Sequence, residues 1–119
     1  MSHTIALGLI RDLFFRVKID AVAAIVGADV EYASTLDAAA VRCAELKPSI
    51  VFTDLSDPTF PALETLAKIR LVAPGVPVIG FASHIDLKPL KAARDAGYEL
   101  TLSRSEFTSR LPELLKSAR

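Results

Sequence analysis

Ser49-Ile50-Val51-Phe52-Thr53-Asp54 is a short apolar run that ends on a carboxylate, and Leu55-Ser56-Asp57-Pro58 follows it. The run is continuously apolar rather than alternating. That pattern marks a strand covered on both faces, as in a parallel sheet flanked by helices. Val78-Ile79 has the same character. An acid at the end of such a strand is expensive to bury unless something pairs with it or uses it. In an open α/β sheet the carboxyl ends of the strands are also where ligands bind. Asp54 is therefore either a loop cap or ion-pair partner, or the reactive group of a site.

Working outward, strand-like segments fall at residues 5–10, 29–33, 49–53, 76–82 and 99–102. Helical periodicity fills the stretches after them. Phe15, Ile19, Val22 and Val26 share one helix face, and Gly27 stops that helix. Ser34-x-x-Asp37 reads as a capping box opening a second helix through Ala39, Ala40, Cys43 and Leu46. A third carries Leu63, Leu66, Ile69 and Arg70. A fourth starts near Asp86 and Pro89, uses Leu90 and Ala93, and ends at Gly97. A fifth opens at Ser103-x-x-Glu106 and continues through Phe107, Leu111, Leu114 and Leu115. Five βα units with right-handed crossovers predict a doubly wound five-stranded parallel sheet, in the flavodoxin-like order 2-1-3-4-5.

The 119 residues suit one domain over 1–119, with nothing left for an effector domain. Fourteen cationic and 14 anionic side chains give a net charge of zero, which argues against a nucleic-acid footprint. No apolar stretch approaches the roughly 20 residues that span a bilayer. The start, Met1-Ser2-His3-Thr4, lacks the basic region of a signal peptide. Cys43 is alone, so a reducing cytoplasmic setting is expected, with the thiol as a small core residue.

In the expected order, the loops after strands 1, 3, 4 and 5 converge. They bring together Arg11 and Asp12, Asp54, Ala82-Ser83-His84, and Ser103-Arg104-Ser105. With Asp12-Leu13, Gly80-x-x-Ser83-His84 and Arg104-Ser105-x-Phe107, this layout resembles the single-domain receivers of the response-regulator (CheY-like) family, and more narrowly short stand-alone receiver-like proteins. The resemblance implies two-component phosphorelay signalling rather than an enzyme. Asp54 would be the phosphoacceptor, and Asp12 and Asp54 would ligate Mg²⁺. Ser83 would sit near the phosphoryl group, and Arg104 would stand in the place of the family's Lys. It also implies protein partners, such as a sensor histidine kinase or a downstream target, and a homodimer face at helix 4, strand 5 and helix 5.

Several positions depart from the family pattern. Arg11 replaces the first acid, Ala82 falls at the hydroxyl position, and Arg104 and Ser105 replace Lys-Pro. A guanidinium is a planar fork and not a substitute point charge. Arg11 or Arg104 is expected to pair with Asp54, occupy the metal's volume and hold the carboxyl below its ordinary pKa. That defines an alternative function, a phosphorylation-independent pseudo-receiver acting as a protein-interaction module. A nucleotide binder is disfavoured because the five glycines form no phosphate-cradling loop. Asp12 has a second reading as N-cap of helix 1. Ser105 reads as a helix cap, Lys18 as a solvated residue and His84 as a titratable loop residue. Of Phe14 and Phe15, only one can face the core. Tyr98, Phe107 and Leu111 have readings both as core and as partner surface, with core the default for Phe107.

Overall fold

The computed structural model describes residues 4–83 and 87–118. His84 and Asp86, singled out above, lie outside the described residues. The elements alternate strictly: β1 Ile5–Leu9, α1 Leu13–Val26, β2 Asp29–Tyr32, α2 Leu36–Leu46, β3 Ile50–Asp54, α3 Ala62–Val72, β4 Val78–Ala82, α4 Leu87–Ala96, β5 Leu100–Ser103 and α5 Arg104–Ser117. All strand pairs are parallel and the order is β2-β1-β3-β4-β5, as the segment pattern predicts.

The central strands β3 and β4 are buried at every position. Two apolar layers cover them. On one side α1 and α5 enclose an aromatic core of Phe15, Phe52, Phe81 and Phe107. The Phe81 and Phe107 rings stack at 4.4 Å, and Phe52 meets Phe107 edge-on at 5.0 Å. On the other side α2, α3 and α4 close over a mostly aliphatic core that includes Leu7, Val51, Leu66, Ile69 and Val78. Cys43 is buried there, as expected of a small apolar residue. Gly80 lies under this second layer. A Cβ at that position would stand 2.6 Å from Leu55 Cδ1 and 3.0 Å from the Tyr98 ring, so glycine is what lets β4 pass beneath them.

The helix ends follow local chemistry. Asp12 caps α1 by accepting from the Phe14 and Phe15 N–H groups, and Gly27 closes it with φ 75°. Ser103 and Glu106 form the expected capping box of α5, and Ser105 lies within the helix rather than capping it. The cap of α2 is Thr35, which accepts from Ala38 N, and not Ser34. Ser34 Oγ instead accepts from Arg16 Nη2 at 3.1 Å. The fourth strand starts at Val78, not at 76, because Pro77 has no N–H for the ladder. In α3 the expected face is displaced: Leu63 is exposed, and Thr65 is buried beside Leu66 and Ile69.

Tyr98, Phe107 and Leu111 are all buried, which removes them as partner-facing side chains. The adjacent phenylalanines divide sharply: Phe15 is 5% exposed and Phe14 is 86% exposed. Phe15→Ala should therefore cost about 3–5 kcal/mol in urea unfolding of dilute protein, whereas Phe14→Ala should stay within about 0.5 kcal/mol. Equal losses would contradict this placement of the α1 faces.

Candidate functional site

The sheet register decides what meets at the carboxyl edge. Asp54 pairs in register with Phe81, Phe81 with Leu102, and Ala82 with Ser103. Arg104 follows as the first residue of α5, and its long side chain reaches back across the end of β4. It stacks over the Phe15 ring, with the guanidinium carbon 4.4 Å from the centroid, and lies 5.9 Å from the Phe81 centroid. Cation–π attraction and the rigid aromatic shelf hold the fork in place.

From that shelf Arg104 Nη1 reaches Asp12 Oδ2 at 3.3 Å and Nη2 reaches Asp54 Oδ2 at 3.4 Å. One guanidinium thus bridges acids delivered by the β1–α1 loop and by β3. The other oxygens are engaged too. Asp12 Oδ1 accepts the two capping N–H groups, and Asp54 Oδ1 accepts from Ser56 N at 3.0 Å. Asp12 is thus the cap of α1 and at the same time an ion-pair partner of Arg104.

Arg11 goes elsewhere. Its Nη1 donates to Thr59 Oγ1 at 2.8 Å and lies 3.5 Å from Asp57 Oδ1, so it does not pair with Asp54. The reason is position: Arg11 is exposed at the rim, where the β3–α3 loop offers a nearer acid. Ser83 does not turn to Asp54 either. Its N–H donates to Ser56 Oγ at 2.7 Å, and Ser56 Oγ donates to Ser83 Oγ at 3.2 Å. This clip ties the loop after β3 to the end of β4. Ala82, at the place where the resemblance expects a hydroxyl, is the last residue of β4 and wholly buried. Sequence reading did not anticipate Ser56, although its position two residues after Asp54 is that of an Asx-turn partner.

Asp54 is 5% exposed, and its electrostatics correct an expectation. Burial, the largest influence, raises its pKa. The Ser56 N–H and the Arg104 charge lower it, while nearby Asp57 and Asp12 raise it, and the net direction is up rather than down. Arg104 is partly solvated and shared between two acids, so it does not offset the lost hydration of Asp54. Asp12 moves the other way: the Phe15 N–H, then Arg104 and the Phe14 N–H, lower its pKa.

The donor set can be compared with what Mg²⁺ requires. That ion takes near-octahedral oxygen ligation and keeps several waters. Here Asp12 and Asp54 each spend one oxygen on backbone N–H groups and the other on Arg104. Among the described residues, no group of three or more His, Cys, Asp or Glu side chains is disposed to hold a metal. As arranged, the residues present do not fit the ion. Beside Arg104, a cavity of about 440 Å³ is lined by Phe15, Lys18, Ser83, Ser105 and Thr108.

No family model matches the chain, and no curated protein matches it. Solved structures do. A putative response regulator from Chloroflexus aurantiacus J-10-fl superposes with a TM-score of 0.84 at 16% identity, covering 98% of both chains. The chemotaxis response regulator CheY4 of Vibrio cholerae gives 0.81 at 13% identity, over 99% of this chain and 100% of the other. NtrX from Brucella abortus, in complex with ADP, gives 0.81 at 19% identity over 98% of this chain. The present chain spans only 26% of that protein. At these identities the likeness is one of architecture. The chain has the receiver-domain fold of two-component response regulators over nearly its full length.

Because the folded-state pKa of Asp54 lies above the unfolded one, its contribution to stability is complete below the ordinary carboxylate range. That contribution is lost as pH rises through the raised value. Asp54→Asn keeps the acceptor for Ser56 N and removes a buried charge. It should raise the urea midpoint at neutral pH, and the gain should disappear in acid. A lower midpoint at neutral pH would mean that the Arg104 pair outweighs the cost of burial.

Proposed function

We propose that this chain is a receiver-fold signalling module that works through protein contacts without phosphorylation, its acidic pocket neutralised from within by Arg104. The observation that supports this most is the single guanidinium spanning Asp12 Oδ2 and Asp54 Oδ2. A phosphoacceptor aspartate needs a free oxygen as nucleophile, and cations placed to neutralise the incoming phosphoryl group. Arg104 supplies positive charge but spends it on the nucleophile itself. The Ser56–Ser83 clip adds a second restraint, because it occupies the hydroxyl nearest to the position expected to follow a phosphate.

The partner on this reading is a protein, a sensor histidine kinase or a downstream target, that recognises the unmodified fold. Nucleic acid is disfavoured by the balanced charge. Among the described residues no helix is long and apolar enough to cross a membrane.

The test is backbone-amide NMR during titration with Mg²⁺ and then with beryllofluoride, alongside incubation with a small-molecule phosphoryl donor read by intact mass. Expected are no saturable shifts at Asp12, Asp54 or Ser83 at millimolar Mg²⁺, and no gain of a phosphoryl group. Saturable shifts, or phosphorylation that Asp54→Asn abolishes, would overturn the proposal and establish a phosphoaccepting receiver.

A further inference from the structure

Helix α1 is apolar on both sides. Its inner face, Phe15, Ile19 and Ala23, is buried against the sheet and α5. Its outer face carries Leu13, Phe14, Val17, Ala21, Ala24 and Ile25, all exposed. The four large side chains are 68%, 86%, 68% and 85% exposed in the order Leu13, Phe14, Val17, Ile25. Only Arg16, Lys18 and Asp20 interrupt this pattern within the helix. A helix that is hydrophobic all round is normally a buried one.

The spacing of the outer stripe is specific. Phe14, Val17, Ala21 and Ala24 are separated by three, four and three residues, the spacing of a helix-pairing seam. Its sizes are also graded, with large residues in the amino-terminal half and alanines toward the carboxyl-terminal half. Two such helices laid antiparallel put Phe14 against Ala24 and Val17 against Ala21, with Leu13 on one flank of the seam and Ile25 on the other. Large side chains then fill the space over small ones in both halves. Laid parallel, Phe14 would meet Phe14 and Ala24 would face Ala24 across a gap.

The area is sufficient as well. The four large residues expose roughly 500 Å² per copy, so a pair that covered them fully would bury roughly 1,000 Å², the lower bound of a specific interface. Isolated apolar patches of that size on a monomer usually mark an interaction site. The net charge of zero opposes no self-association.

We propose that α1 is a self-association surface: two copies of this chain pair isologously through antiparallel α1 helices, in a dimer that exchanges with monomer. This face is distinct from helix 4, strand 5 and helix 5, the region expected from the resemblance. In the antiparallel pair Lys18 flanks its own copy on one side and Asp20 its own copy on the other. Added salt should therefore tighten the dimer, because it screens like charges.

Sedimentation velocity on the full chain, between about 5 and 500 µM, tests the proposal. Wild type should pass from monomer to dimer within that range, and more readily at high salt. Val17→Glu and Ala24→Glu should each weaken association at least about tenfold, a shift of about 1.4 kcal/mol. Far-UV circular dichroism would show that both remain folded, since neither position is in the core. Leu71→Glu, at a residue 84% exposed on α3, should leave association unchanged. A wild type that stays monomeric at every concentration would overturn the proposal, even if α1 then captured a helix of another protein. So would equal weakening by Leu71→Glu and Val17→Glu, which would indicate general stickiness.

Discussion

A carboxylate 5% exposed, placed at the end of a strand with apolar neighbours, is the constraint to which the carboxyl edge of this molecule answers. Three elements contribute to holding it. The Ser56 N–H serves one oxygen, Arg104 serves the other, and the aromatic layer under α1 and α5 positions Arg104. Buried ion pairs rarely add much net stability, but an unpaired buried charge is strongly unfavourable. The arrangement is thus better understood as satisfying a buried carboxylate than as strengthening the fold.

The apolar side chains of the molecule divide between its interior and its helix surfaces. Near α4 and α5, two aromatic side chains turn inward: Tyr98 donates its hydroxyl to the Ala62 carbonyl at 2.9 Å, and Phe107 completes the aromatic core. Among the described residues, four exposed large apolar side chains share α1, while others stand on α2, α3 and α4, as at Val41, Leu63, Leu71 and Leu87. Helix α1 also begins at Asp12, so its outer face and the acid paired with Arg104 belong to one element.

Element order, sheet topology and most helix faces were legible in the sequence, because continuous apolar strands and helical spacing report burial directly. That Asp12, Asp54 and Arg104 would be neighbours was legible for the same reason, since parallel topology forces those loops together, but Ser56 was not. Which arginine would pair was not legible either. Arg11 and Arg104 are chemically alike in sequence, and only the register, with Ala82 beside Ser103, puts one over Phe15 and leaves the other at Asp57. The direction of the Asp54 shift was misread because attraction by a cation can be inferred from residue types, whereas the depth of burial needs the packed structure. Local caps failed where more than one hydroxyl stood near the helix start, as with Ser34 beside Thr35 and Ser105 close to Ser103.

The seating of Arg104 on aromatic rings has a spectroscopic consequence. Protons held above a ring face resonate upfield, and the guanidinium carbon lies 4.4 Å from the Phe15 centroid, with Phe81 close behind. The chain has no tryptophan to report on its interior by fluorescence. Ring-current shifts on the Arg104 side-chain signals supply an intrinsic gauge in its place: while the guanidinium stays on its shelf they persist, and when it swings away they relax toward solvent values. The pocket thereby carries its own label for whether it is closed.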